Sequence, residues 1–148
     1  MGDNLGVRVG KWSVLEPECG LVILDVDLRE PLGADACYGA VERLLGHSEL
    51  NVASGRGLGG HVYMKCPLAT LPGKAATTVA QGEGWKLELF STGKQVVVPP
   101  SVHPDTGEVL HLGQCRDRRG IRVSTQTRGG SRKLLPGTKT KQLASLCS

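Results

Sequence analysis

The chain has 148 residues, of which 39% are hydrophobic and 3% aromatic, and its formal net charge is +4. This length allows one domain whose core consists mainly of Val, Leu, Ile and Ala. No stretch approaches the ~18 apolar residues of a membrane span, so we expect no membrane partner. No secretion signal is evident, and five cysteines without a CxxC pair fit a reducing compartment, which predicts a cytoplasmic protein.

Charge divides the chain into two unequal regions. Residues 1–114 hold nine Lys/Arg and thirteen Asp/Glu, whereas residues 115–148 hold nine Lys/Arg and one acid. We therefore predict a core domain at 1–114 and a basic, irregular tail at 115–148. The tail has no aromatic residue and no sustained apolar period, so we expect it to be mobile. It is either a solvated end or a segment that contacts DNA phosphates without reading bases.

Hydrophobic patterning predicts mostly strands and one helix, which indicates an α+β fold. The predicted elements, in chain order, are a strand at 4–9, a turn region at 10–20, a central strand at 21–27, a helix at 34–45, a hairpin of 50–54 and 61–66 around a glycine loop, a loop or weak helix at 68–84, a second hairpin of 85–90 and 95–98, and a strand at 109–112.

The central strand carries two acids directly after its apolar run. Side chains alternate along a strand, so Asp25 and Asp27 point the same way, about 7 Å apart. Two carboxylates on one face repel each other unless a cation lies between them, and Mg²⁺ or Mn²⁺ prefers such oxygen ligands. The pattern indicates either a divalent metal site or an ordinary strand that ends in polar residues.

The glycine loop at 55–60 satisfies G-x-G-x-x-G but leads into a strand, whereas a dinucleotide site needs a helix there. We therefore reject a Rossmann site. Loop amides and Arg56 suit phosphates. His61 and Lys65 share one face of the following strand, and imidazole and ammonium groups suit a triphosphate. A structural histidine is the alternative for His61.

A third acid lies on the strand at 85–90. Leu87 and Leu89 share one face of this strand, and Glu88 lies on the other. Two bridging carboxylates and usually a third are needed to hold two metals about 4 Å apart. Glu88 is therefore either the third metal ligand or a solvent-facing strand residue.

A rigid turn, Pro99-Pro100-Ser101-Val102-His103-Pro104, follows the valine-rich strand. The prolines favour a structural loop, within which Ser101 and His103 are the polar candidates. Zinc binding by His103, His111 and Cys115 lacks a clean fourth ligand, so we do not predict a zinc site.

In this order, the acid-x-acid strand, the glycine hairpin ending in a histidine, the acid on the later strand and the PPS-x-H loop resemble the bifunctional DNA primase/polymerase (prim-pol) domain. This domain is a branch of the archaeo-eukaryotic primase superfamily. The likeness covers roughly residues 4 to 112. It implies a primase-like fold with an RRM-like mixed sheet and flanking helices. Prim-pol domains usually have more elements before the first strand seen here, so we expect an N-terminally incomplete domain.

The resemblance implies a nucleotidyltransferase that makes or extends primers on a DNA template from nucleoside triphosphates, with Mg²⁺ or Mn²⁺ as cofactor. It implies that Asp25, Asp27 and Glu88 are the catalytic metal ligands, although the family more often has Asp at the third position. Relatives in plasmid and phage replication are associated with a helicase domain or partner.

For nucleotide binding, the resemblance implies that His61 contacts the phosphates and that Ser101 and His103 lie at the edge of the pocket. The family usually has a Ser-x-His triplet, whereas this chain has Gly59-Gly60-His61 and lacks that hydroxyl. Two alternatives stay open. A DxD glycosyltransferase explains the acid pair but not the histidine, and a truncated fragment could bind nucleic acid without catalysis.

Overall fold

A computed structural model of the chain describes residues 3–54, 58–112, 115–116 and 122–123. Within them, no helix is long and apolar enough to cross a membrane. The strands and the α-helix, in chain order, are β1 (Leu5–Arg8), β2 (Gly10–Glu16), β3 (Cys19–Leu28), α1 (Ala34–Leu45), β4 (Val52–Ala53), β5 (Gly60–Pro67), β6 (Ala76–Gly82), β7 (Trp85–Phe90), β8 (Gln95–Val98), β9 (His111–Leu112), β10 (Cys115–Arg116) and β11 (Arg122–Val123).

A seven-stranded sheet organises the domain. Its strand order is β6-β7-β3-β5-β4-β9, and β2 also pairs with β3. Two separate ribbons consist of β1 with β8 and of β10 with β11, and every pairing between the described strands is antiparallel. The α+β class is confirmed. The described strands do not form a mixed sheet and one α-helix is described, so the primase-like arrangement stays a prediction.

The helix covers one face of the sheet and has the bounds that the sequence predicts. It ends at Gly46, whose left-handed backbone (φ 75°) lets its N–H donate to the carbonyl of Glu42. The buried helix residues are Cys37, Ala40, Val41 and Leu45. They pack on alternate residues of the central strand, which are Val22, Leu24, Val26 and Leu28. Full burial of a Val or Leu side chain stabilises the folded state by about 1.5–3 kcal/mol. Because most of the buried apolar residues lie on this face, it is the main core.

A second, smaller core lies on the opposite face. Leu21 and Ile23 of β3 pack there with Phe90 of β7, beneath Val9 and Val96 from the ribbon of β1 and β8. The ribbon therefore covers the end of the sheet face that contains Leu21 and Ile23.

Two strands lie where the sequence analysis predicts none. Residues 10–16 form β2 instead of a turn region, and residues 76–82 form β6 instead of a loop or weak helix. The residues of both strands are mostly exposed or half-buried, so neither segment shows the apolar alternation that identifies a strand. Pairing with β3 and β7 determines their conformation.

The predicted second hairpin is wrong, although both of its strands exist. β7 pairs with β3 and β6, whereas β8 pairs with β1. The N–H of Ser91 donates to the carbonyl of Ala75, which extends the pairing of β7 with β6, and the turn at 91–94 then leads to β8. The predicted glycine hairpin is present as β4 and β5, with Ala53 opposite Gly60.

Three cysteines lie in the main described ranges. Cys19 and Cys37 are free thiols, and Cys66 is disulfide-bonded, which differs from the expectation of reduced thiols. Most of the predicted tail lies outside the described residues, apart from the short strands β10 and β11.

Candidate active site

The site is a row of side chains that crosses three adjacent strands. Asp25 of β3 is opposite Glu88 on β7 and opposite His61 on β5. Directly opposed residues of antiparallel strands point to the same face, with Cβ atoms about 4.5–5.5 Å apart. Glu88, Asp25 and His61 therefore form one row on the face opposite the helix.

Neighbouring rows differ sharply in character. One row contains Asp27, which is opposite Lys86. The row on the other side contains Ile23, which is opposite both Phe90 and Tyr63. The row of Asp25 therefore lies between a charged row and an apolar one, at the point where the cover of β1 and β8 gives way to an accessible surface.

A basic side chain lies beside each of the three acids. Nε2 of His61 is 3.4 Å from Oδ1 of Asp25, and Nζ of Lys86 is 3.1 Å from Oε2 of Glu88. A guanidinium nitrogen of Arg29 is 3.3 Å from Oδ2 of Asp27. These pairs reduce the repulsion between carboxylates, and all three acids remain partly exposed.

The donor set suits a hard divalent cation, because carboxylate oxygens are the ligands that Mg²⁺ and Mn²⁺ prefer. The described part of the chain nevertheless has no group of three or more His, Cys, Asp or Glu side chains positioned to hold a metal. The acids share a face, and each lies beside a basic partner. A bound metal ion would compete with His61 and Lys86 for the carboxylate oxygens.

His61 and Tyr63 carry buried polar atoms on this face. Among the described residues, neither Nδ1 of His61 nor the hydroxyl of Tyr63 has a hydrogen-bond partner. The two rings are stacked with centroids 6.3 Å apart. Burial raises the pKa of Tyr63, so its phenol stays neutral at physiological pH. An unsatisfied buried group costs about 1–3 kcal/mol, which a polar ligand in the site would offset.

One basic residue predicted to bind nucleotide, Lys65, is not brought into this row. Lys65 lies four residues beyond His61 on β5, about 13 Å along the strand, and pairs with Glu16. Arg56 lies outside the described residues. A role for either residue in nucleotide binding stays a prediction.

Ser101 and His103 lie in a loop held by local hydrogen bonds. The buried hydroxyl of Ser101 accepts from the N–H of Leu5 at 2.7 Å and donates to its carbonyl at 3.3 Å. Nδ1 of His103 accepts from the N–H of Asp105 at 3.2 Å. These bonds anchor the start of β1 and a turn. These hydrogen bonds do not test the prediction that Ser101 and His103 lie at the edge of a nucleotide pocket, which stays a prediction.

Lys86 and Arg29 belong to the charged surface but are absent from the sequence-based candidates. Lys86 is two residues before Glu88, so strand alternation places both on one face. The two-residue spacing from Glu88 could therefore have identified Lys86 as a site residue from the sequence alone. The pairing of Lys86 with Asp27 depends on the register of β3 and β7, which the spacing does not reveal.

Comparison with known proteins assigns the family. The family model for the N-terminal domain of bifunctional DNA primase/polymerase matches residues 1–122. No curated protein and no solved structure matches the chain. At the family level, this match indicates a DNA primase/polymerase role with nucleotidyltransferase activity, and such proteins generally use divalent metals. The match covers most of the chain, and the protein belongs to the Prim-Pol family.

Proposed function

We propose that this chain transfers nucleotides from nucleoside triphosphates onto a primer or a new strand, using DNA as the template. The row of Glu88, Asp25 and His61 carries the proposal. It brings two acids and an imidazole together from three strands of a Prim-Pol domain, on an accessible part of the sheet.

The three acids are the proposed ligands of Mg²⁺ or Mn²⁺. When bound, the metal supplies neutralisation of the triphosphate charge and of the charge that develops on the attacking and leaving oxygens. Asp25 and Glu88 contribute oxygens from neighbouring strands, and Asp27 contributes from one side of the row. The buried residues on the opposite face of β3 hold the backbone of Asp25 and Asp27 in place.

The basic side chains beside the acids are the proposed contacts for the triphosphate. His61 and Lys86 lie next to Asp25 and Glu88, and they would contact phosphate oxygens once those carboxylates hold a metal. Hydrogen bonds from basic side chains to phosphate oxygens orient a phosphate group. In this scheme, His61 and Lys86 bind the incoming triphosphate and the acids would hold the metal, while the primer hydroxyl attacks the α-phosphorus and pyrophosphate leaves.

Primer extension with labelled nucleotide and Mg²⁺ or Mn²⁺ tests the proposal. Asp25→Asn and Asp27→Asn keep the size of each side chain but remove its charge. We expect each variant to lose incorporation by roughly 1,000-fold, because the metal-bound transition state loses a ligand. Removing one of two repelling carboxylates leaves the fold intact. Direct Mn²⁺ binding, measured by electron paramagnetic resonance, should weaken in parallel.

Asp105→Asn is the matched control, because Asp105 is an exposed acid on the turn after β8. It should retain both activity and Mn²⁺ binding. Wild-type activity of Asp25→Asn would contradict the mechanism. Transfer from a sugar nucleotide, without nucleotide incorporation, would instead support the DxD glycosyltransferase alternative.

A further inference from the structure

An exposed tryptophan lies outside the proposed active site. Trp12 is on β2, a strand with one paired edge in the described structure, and 56% of its surface is accessible to solvent. We propose that the Trp12 surface, defined as Trp12 with Arg8 and Lys11, binds single-stranded DNA by stacking a base on the indole.

Two cations lie against the indole ring. The guanidinium carbon of Arg8 is 5.3 Å from the ring centroid, and Nζ of Lys11 is 5.0 Å from it. Both residues are exposed. Aromatic side chains that stack bases, next to basic side chains that contact phosphates, are how proteins hold single strands without reading sequence.

The turn between β7 and β8 supports the backbone beside the Trp12 surface. The carbonyl of Lys94 accepts from the N–H of Val9 at 3.1 Å, and the hydroxyl of Thr92 accepts from the N–H of Lys11 at 3.0 Å. These bonds fix the turn beside Arg8 and Lys11. Nζ of Lys94 lies 4.6 Å from the ring centroid of Phe90.

The charge of the Trp12 surface differs from that of the surrounding domain. Residues 1–114 contain nine Lys/Arg and thirteen Asp/Glu, a balance of −4, whereas this surface brings two cations together on one indole ring. Glu16, an acid on the same strand, is paired with Lys65. Charge complementarity therefore favours a polyanion over an apolar protein partner at this position.

The surface lies within reach of the proposed active site. Gly10, two residues before Trp12, is opposite Leu21, and Leu21 is four residues from Asp25. Leu21 and Asp25 are about 13 Å apart along β3, so a single strand of several nucleotides can extend from the Trp12 surface to the row of Asp25. Identification of the strand as a template rests on the proposed function.

Fluorescence anisotropy with a labelled oligothymidylate tests the inference. The titration contains EDTA and no nucleotide, so failure of the proposed chemistry does not affect the result. We expect Trp12→Ala to weaken single-strand binding roughly 5- to 150-fold, the range that corresponds to one lost stacked base. Trp12→Phe should retain most of the affinity, because it keeps an aromatic face.

Val14→Ala is the matched control, since Val14 lies on the same strand and is 57% exposed. It should bind like the wild type. Lys11→Gln should flatten the dependence of log K on log salt by about 0.7 for the lost phosphate contact. Unchanged affinity in Trp12→Ala, or equal losses in Trp12→Ala and Val14→Ala, would overturn the inference. So would self-association that Trp12→Ala abolishes while DNA affinity stays the same, because the surface would then join two copies.

Discussion

The two halves of one face of β3 have opposite properties. Leu21 and Ile23 lie under the ribbon of β1 and β8, whereas Asp25 and Asp27 lie beyond it and remain partly exposed. The backbone is the same regular strand throughout. The boundary between the covered and the accessible surface coincides with the change from an apolar residue at Ile23 to an acid at Asp25.

The comparison predicts that the apolar half supplies stability and the polar half supplies chemistry. Ile23 is fully buried, and its substitution by Ala should lower the free energy of unfolding by about 2–5 kcal/mol. Urea denaturation measures this change. Nucleotide incorporation per folded molecule should stay near the wild-type value, because Ile23 belongs to the neighbouring apolar row and contributes no polar group to the site.

Leu112→Ala serves as the control for Ile23→Ala, since Leu112 is 77% exposed on β9 and should change stability little. Loss of incorporation per folded molecule in Ile23→Ala would show that the two halves are not separable.

The negative charge of Asp27, in the polar half of β3, also acts on Cys37 of α1. Burial, and secondarily the charge of Asp27, raises the pKa of the Cys37 thiol from 9.0 to about 11. As the pH rises, the thiol loses its proton at a lower pH in the unfolded state than in the folded state. The contribution of the protonated thiol to the free energy of unfolding is therefore fully present below pH 9 and is lost as pH rises toward 11. We expect a loss of about 3 kcal/mol over that window, measured by denaturation at several pH values.

Cys37→Ala should remove most of this pH dependence even if its stability is lower throughout. Asp27→Asn should shift the loss slightly to lower pH, because one cause of the raised pKa disappears. A Cys37→Ala variant with the same decline between pH 9 and 11 would assign the titration to another group.

Substitution of His61 tests whether the site at the polar half of β3 binds the nucleotide or the template. We expect His61→Ala to weaken nucleotide binding by about 10-fold, as expected for a lost charge-assisted hydrogen bond. Template affinity should change much less. Calorimetry with nucleotide and anisotropy with DNA measure the two affinities separately, and His111→Ala on exposed β9 is the control. Equal losses in both affinities would indicate a structural histidine.

Tyr63 lies at the border between the halves and gives the smallest expected effect. Its hydroxyl is buried without a partner among the described residues. Tyr63→Phe removes that group while keeping the ring, so we expect it to raise the free energy of unfolding by about 1 kcal/mol. A clear loss of stability in thermal denaturation would show that the hydroxyl is satisfied, for instance by water.

Local pattern in the sequence was sufficient for the helix and the central strand. Periodicity and Gly46 predicted α1 with its observed bounds, and the apolar run predicted β3. The ordered motifs predicted the family that the comparison then confirmed. These features depend on neighbouring residues, so one sequence can reveal them.

Pairing between distant segments was not predictable in the same way. Glu88 could be assigned to the polar face of its strand, but its position opposite Asp25 depends on the register of β7 with β3. The partners of β8 and the existence of β2 and β6 likewise depend on tertiary pairing. The ion pair between Lys86 and Glu88 also became evident only from the side-chain positions.

The central position of β3 has a consequence for motion. Backbone groups of Asp25 are paired on both edges, with β5 on one side and β7 on the other. Amides in such a strand exchange with solvent mainly through global unfolding, whereas a two-residue strand such as β4 opens through local fluctuations. We therefore expect the backbone of Asp25 to be among the most slowly exchanging parts of the domain, and the two-residue β4 beside His61 to exchange faster.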